Sequence, residues 1–325
     1  MKKFVIFIFI FMPVLSVFSQ QTDSKAVNVK AELNKQEIVV GEPLFLQLEL
    51  TNVSEQQKNF MTRLAYTGDL RIEVNLPNKL PIEYLGIHEH GFPPYFTFKI
   101  PPGKTDRVDS VILYHSDSPK GLLFSYPLKA TIRVTLDGII DRDPVTYRFK
   151  PWQITVKNPD QKNARVLNLI REKKIIEQIH RGVANDETRP RLLEIWKQYP
   201  DSVYSPYILF AVASGLAAGQ EEKSLNEAIN YYEKYLEKYP GALYEDDAVY
   251  KIGYCYDKLE ETGKAQKWFV RLYNSYPKSS RLNNQDPVIR KYITSQIKAA
   301  NPPGKWMLFE GQPEPDPNDQ NLMSP

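Results

Sequence analysis

A Tyr-Pro step recurs three times in the C-terminal half of the chain, at Tyr199-Pro200, Tyr239-Pro240 and Tyr276-Pro277. The steps lie 40 and then 37 residues apart. An echo at this spacing signals stacked helical hairpins, each burying its apolar face against its neighbours. Such an architecture builds a surface for other molecules rather than a catalytic centre. No other stretch of the sequence names a function.

From Gln161 onward Gly and Pro become sparse and the apolar period lengthens. Val166, Leu167, Leu169, Ile170, Ile175, Ile176 and Ile179 predict one or two amphipathic helices, a connector over 158–187. Helical repeats are expected over 188–300, where Pro190 stands near the start of a helix, a position that tolerates proline. The clearest unit runs from Glu245 to Pro277. Val249, Ile252, Gly253 and Tyr256 share one helix face. Glu261-Thr262-Gly263 reads as the turn, and Ala265, Phe269 and Leu272 belong to the second helix. Gly253 and Ala265 are small where two helices approach, and Tyr256 and Phe269 are large where the gap needs filling.

This unit resembles the tetratricopeptide repeat, whose pattern ends in Leu-Gly-x-x-Tyr, Ala-x-x-x-Phe and Pro. Here Ile252-Gly253-x-x-Tyr256, Ala265-x-x-x-Phe269 and Pro277 meet it, with Val249 in place of the usual Trp. The preceding unit places Leu209, Val212, Ala213 and Leu216 in its first helix, and Ala228, Tyr232 and Pro240 in or after its second. Its three additional residues are expected in the loop near Gly219-Gln220-Glu221-Glu222. The Tyr-Pro phrases look like the repeats of bacterial outer-membrane assembly lipoproteins and of the Tol–Pal coordinator family, which implies envelope scaffolding. The resemblance further implies a concave, peptide-binding face. Asp247, Tyr250, Tyr254, Asp257 and Lys258 would lie on that face, with Tyr207 and Phe210 as counterparts one unit earlier. The alternative is that the N-terminal half or the connecting helices cover this face. Asp286-Pro287 reads as the cap of a closing helix. The Pro-rich tail 301–325 is expected to be disordered.

The N-terminal half carries a different period. Residues 26–33 and 44–50 alternate apolar and polar, with Gly41-Glu42-Pro43 as a turn between strands. Further strands are predicted at 37–40, 70–76, 95–100, 108–114, 130–136 and 147–156, with turns at Pro101-Pro102-Gly103 and Asp137-Gly138. No long amphipathic helix is evident before residue 160. Many short strands favour an antiparallel sandwich. Residues 25–157 resemble bacterial Ig-like domains through Val40-Gly41-Glu42-Pro43, Thr51-Asn52 and the closing Ile154-Thr155-Val156. The expected fold class is therefore an all-β Ig-like sandwich followed by an all-α hairpin array.

Lys2-Lys3, an apolar run over 4–18 and Ser19 have the layout of a secretory signal over 1–19, cleaved after Ser19. The run is short for a membrane span. It holds no cysteine for lipid attachment, and Cys255 is the only cysteine of the chain. The expected mature protein is exported, periplasmic or secreted, without stable membrane insertion. Net charge is +3, which argues against a nucleic-acid partner. No nucleophile elbow, zincin motif or dinucleotide fingerprint is present. His88 and His90 are the weak metal candidates, with His115 able to approach from another strand. Cys255, between Tyr254 and Tyr256, reads as a buried inert thiol. The expectation is a non-enzymatic scaffold without cofactor, its partners envelope proteins or peptides. Two alternatives are polysaccharide or protease binding by the sandwich loops on a repeat stalk, and a metal-dependent hydrolase.

Overall fold

The computed structural model describes residues 26–63, 69–84, 96–115, 121–282 and 286–294. The signal segment 1–19 with Ser19, the histidines His88 and His90, and the tail 301–325 lie outside the described residues.

The N-terminal half is built of strands β1 (Val27–Leu33), β2 (Glu37–Val39), β3 (Leu44–Asn52), β4 (Lys58–Thr62), β5 (Leu70–Asn75), β6 (Ile82–Glu83), β7 (Phe96–Ile100), β8 (Thr105–Leu113), β9 (Leu128–Ile140), β10 (Asp143–Arg148) and β11 (Trp152–Lys157). A three-stranded sheet runs β1-β3-β8. A larger sheet runs β2-β11-β9-β4-β7, with β10 and β5 also on β9 and β6 on β5. Pairing is antiparallel except between β11 and β2. The period-two pattern is the pleat: Val27, Val29 and Ala31 of β1 are buried while Asn28, Lys30 and Glu32 face water. Leu46, Leu48 and Leu50 of the small sheet share a core with Ile72, Val74, Val134 and Leu136 of the large one.

Two expectations for the sheet half need correction, and two strands are added. Asp137-Gly138 is not a turn; it lies inside β9, and the hairpin turns at Asp141-Arg142, with Asp141 at φ 57°. Gly138 is required there for another reason, since a Cβ would lie 2.6 Å from the Phe60 ring. The strand expected over 147–156 is split into β10 and β11, which flank successive parts of β9. Pro151 falls at the break, where proline has no N–H to give a ladder. β4 and β6 were not foreseen, because neither alternates over enough residues to stand out.

Helices follow: α1 (Gln161–Ile170), α2 (Lys173–Arg181), α3 (Arg189–Gln198), α4 (Ser205–Ala218), α5 (Glu222–Lys238), α6 (Glu245–Lys258), α7 (Thr262–Ser275), a 3-10 turn (Ser280–Leu282) and α8 (Pro287–Tyr292). Among the described residues, none is long and apolar enough to cross a membrane. Asp160 and Asp286 cap α1 and α8 through their carboxylates. α4 and α5 form one antiparallel hairpin, α6 and α7 the next, and α5 packs on α6. Inside the second hairpin a Cβ on Gly253 would lie 3.0 Å from the Phe269 ring, so the small-under-large pairing read from the sequence is present.

The three Tyr-Pro steps are one structural device used three times. A residue before proline is pushed out of the α region, which ends the helix. Tyr199, Tyr239 and Tyr276 hold nearly the same backbone, with φ/ψ of −131/55°, −124/57° and −130/58°. Each amide donates to the carbonyl four residues back, and each carbonyl accepts from the amide three residues on. The three additional residues of the first repeat are not in its loop. The links 219–221 and 259–261 are equal in length, whereas α5 has 17 residues and α7 has 14. Nor does Gly263 lie in a turn; α7 begins at Thr262, so the link is residues 259–261.

The two halves share one apolar core that runs from Val27 to Cys255. Gly41, at φ +74°, lets Leu167 of α1 lie against the turn between β2 and β3; a Cβ there would be 2.6 Å from Leu167 Cδ1. Phe45 of β3 stacks on Tyr207 of α4 at 5.8 Å and meets Tyr244 edge-on at 5.7 Å. The Tyr204 hydroxyl donates to the Val40 carbonyl. Helix α4 is consequently buried almost all round, by its neighbours α3 and α5 and by the sheets and α2.

Candidate binding site

The face expected to bind peptides is largely covered. Tyr207 and Phe210 are only 7 % and 6 % exposed. Tyr207 lies under Phe45, and Phe210 stacks on Tyr244 at 4.2 Å. Their expected exposure is therefore corrected: the sheet half covers Tyr207, and the tyrosines of the neighbouring helix and turn cover Phe210. One repeat later the chain's own C-terminal segment does the same. Arg281 donates to the Asp247 carboxylate, and the Tyr250 hydroxyl donates to Asp286 at 2.7 Å. Lys291 Nζ and Tyr292 Oη both donate to Asp257 Oδ1 at 2.6 Å. Burial alone would raise the Asp257 carboxyl, but the Lys291 and Tyr292 donors outweigh it and hold it below its ordinary value. Burial, reinforced by the Asp286 carboxylate, pushes the Tyr250 phenol up. Tyr254 and Lys258 remain at the surface, with the ammonium 5.2 Å from the ring centroid. The residues assigned to a groove are thus mainly brought together as seams within the molecule.

Cys255 is fully buried, and burial pushes its thiol up to about 11, so it is a neutral thiol at physiological pH. His115 does not stand in a donor cluster: among the described residues no group of three or more His, Cys, Asp or Glu could hold a metal. Its ring lies 5.9 Å from that of His180 on α2.

A cleft of about 580 Å³ opens where the Tyr-Pro turns meet the small sheet. One wall is the turn at Tyr239-Pro240 with Leu243 and Tyr276; the other carries Gln47 of β3 and Arg107 of β8. Local chemistry builds both walls. Tyr239 is fixed at the rim because its hydroxyl accepts from Trp196 Nε1 at 2.8 Å and donates to the Pro200 carbonyl at 2.7 Å. Glu245 is fixed by the Gly241 amide and by the Tyr276 hydroxyl. Glu42, 4 % exposed, accepts from the Val39 amide and pairs with Lys35. Two lining charges, Arg107 and Asp246, have no side-chain partner among the described residues. An apolar floor, a row of tyrosines and one free charge of each sign can hold an extended polypeptide that supplies both apolar and charged groups. The recurring Tyr-Pro step marks the rim in the sequence. Arg107, Asp246 and Gln47 gave no signal there, since the cleft exists only once the sheet has docked on the repeats.

Residues 247–279 match the family model of the tetratricopeptide repeat, which covers most of α6, all of α7 and the third Tyr-Pro turn. The helical half therefore carries a repeat of a class of protein–protein interaction modules. No curated protein matches the chain. Among solved structures, the chain is similar to a β-glucosidase from Erythrobacter marinus, at 9 % identity and a TM-score of 0.26, over 40 % of this chain and 15 % of that one. The chain thus spans a small part of that enzyme's length. It is also similar to the sporulation control protein Spo0M from Bacillus subtilis, at 17 % identity and 0.24, over 45 % of this chain and 55 % of the other. A third likeness is to alpha-2-macroglobulin from Escherichia coli, at 11 % identity and 0.25, over 85 % and 54 %. At these TM-scores none of the three bears on fold or function.

Proposed function

We propose that the protein is an exported, non-enzymatic adaptor of the bacterial envelope that binds a protein partner in the cleft between its sheets and its repeats. The sheet half is read as an Ig-like sandwich, because two mainly antiparallel sheets enclose one core. Export follows from the Lys2-Lys3 and apolar layout of residues 1–19. The observation that carries the binding reading is the cleft itself, beside a matched interaction repeat and lined by Arg107 and Asp246, which have no side-chain partner among the described residues. The repeats lie against the sheets through Phe45, Tyr204 and Tyr207, which favours a joint binding surface over a stalk.

Affinity capture with matched variants tests this. Arg107→Glu combined with Asp246→Arg reverses both free charges without entering the core. Partners retained by the wild type and by a surface control on the large sheet, Lys129→Glu, should be lost by the double variant. Retention of every partner by the double variant would remove the cleft as the binding seat. Loss of the same partners by Tyr254→Ala alone would return the site to the exposed face of α6.

A further inference from the structure

Among the described residues, every buried side-chain nitrogen or oxygen without a hydrogen-bond partner belongs to one cluster. These atoms are Tyr114 Oη, both ring nitrogens of His115, and His180 Nδ1. An unpaired buried polar group loses its hydration without replacement, which is why such groups are normally scattered and few. Here they converge where the end of β8 meets α2. The Tyr114 ring stacks on His180 with centroids 6.5 Å apart, and the two imidazoles meet edge to face. His115 is 4 % and His180 8 % exposed.

The arrangement tolerates two neutral imidazoles and opposes two charged ones. From α2, Glu177 approaches His115 Nε2 at 3.7 Å, but this carboxylate is half-exposed and shared with Lys173. Arg181, also on α2, adds positive charge beside His180. From the β8 side comes the uncharged Tyr114 phenol. From α4 and the loop before it come the phenols of Tyr207 and Tyr204, which burial keeps protonated. Beyond them the Glu42 carboxylate is engaged by Lys35. His180 therefore meets cations and neutral rings, with no carboxylate of its own among these groups.

We infer that His115 and His180 form an acid-sensitive latch, which when neutral holds α2 against the end of β8 and when protonated releases this seam between the sheets and the helices. Burial first, then His115 and Arg181, hold His180 down to about 3, against an ordinary value of 6.5. The closed form thus binds fewer protons than the open form between these values. Closure is fully favoured above the ordinary imidazole range and weakens as the pH falls through it.

The experiment uses the full chain. The sequence holds four histidines, so a His88→Gln/His90→Gln background leaves His115 and His180 as its only imidazoles. Amide hydrogen exchange, corrected for intrinsic rate, is compared at pH 7.5 and 5.5 for residues 111–115 and 173–181. The expected result is a roughly tenfold loss of protection in these two segments at pH 5.5, with the locally fraying amides of α6 and α7 unchanged. His180→Asn should abolish the loss, and Tyr114→Phe should preserve it. Should His180→Asn fail to fold, His180→Gln serves in its place. A background profile that is flat with pH, or an undiminished loss in the histidine variants, overturns the latch. A zinc-dependent rise in thermal stability at pH 7.5 that disappears in His180→Asn would also overturn it, by assigning the pair to metal binding.

Discussion

Gly215→Ala is expected to destabilise the protein by about 1–3 kcal/mol, although the same change in an isolated helix would stabilise it by about 1 kcal/mol. Gly215 lies inside α4 with no unusual backbone requirement, so propensity alone favours alanine. Packing decides otherwise. A Cβ at this position would lie 1.9 Å from the carbonyl oxygen of Ala184 and 2.9 Å from its carbon. The obstacle is backbone, which no rotamer change can move aside. Nor can the segment slide freely, since the Ala184 amide donates to the Ala211 carbonyl one turn earlier on α4, at 2.8 Å. Relief therefore requires a shift of more than an ångström and sacrifices that hydrogen bond, worth about 1 kcal/mol. Overpacking adds about 1–3 kcal/mol, and the sum exceeds the helical gain. Gly263→Ala is the matched control. It lies in the first turn of α7, where a Cβ would meet nothing within 4 Å, and should stabilise by up to about 1 kcal/mol. Urea titration reads both, as opposite shifts of the midpoint at constant slope; 2 kcal/mol corresponds to roughly 1 M. A Gly215→Ala midpoint at or above the wild type would refute the packing argument.

Other perturbations follow from the same contacts. Tyr204→Phe deletes the hydroxyl that donates to the Val40 carbonyl between the two halves and should cost about 1 kcal/mol. Tyr114→Phe deletes a buried hydroxyl that has no partner and should be neutral or stabilising in the same urea assay. Phe269→Ala should cost about 3–5 kcal/mol, because the ring fills the space under Gly253 and stacks on Tyr292 at 5.1 Å; a near-wild-type thermal midpoint would contradict this. In the His88→Gln/His90→Gln background, global stability should fall by about 1.4 kcal/mol per pH unit below the ordinary imidazole value, since the unfolded chain protonates His180 and the folded one does not. Urea midpoints at pH 7.5 and 5.5 that coincide would exclude that burial effect.

Much of the local structure was legible in advance. The alternation over 26–33 and 44–50 became β1 and β3, and the Tyr-Pro echo became three superimposable helix ends. Where the reading failed, a residue had two possible uses. Asp137-Gly138 has the chemistry of a turn, but Gly138 serves to admit the Phe60 ring. The three additional residues of the first repeat looked like loop, but α5 absorbs them as almost one more helical turn.

The sequence by itself determined the order of strands and then helices and the hairpin repeat of the second half. Those features rest on periods of two and 3.6 residues, and on Gly and Pro effects that act over a few neighbours. Which helical face stays free was decided only by tertiary structure. Tyr207 carries the same pattern signal whether water or Phe45 covers it, and Phe45 lies far away in the chain. The same holds for the cleft between Arg107 and Asp246, and for the His115–His180 contact. Burial and charge pairing depend on which distant surfaces meet, and no local period encodes that choice.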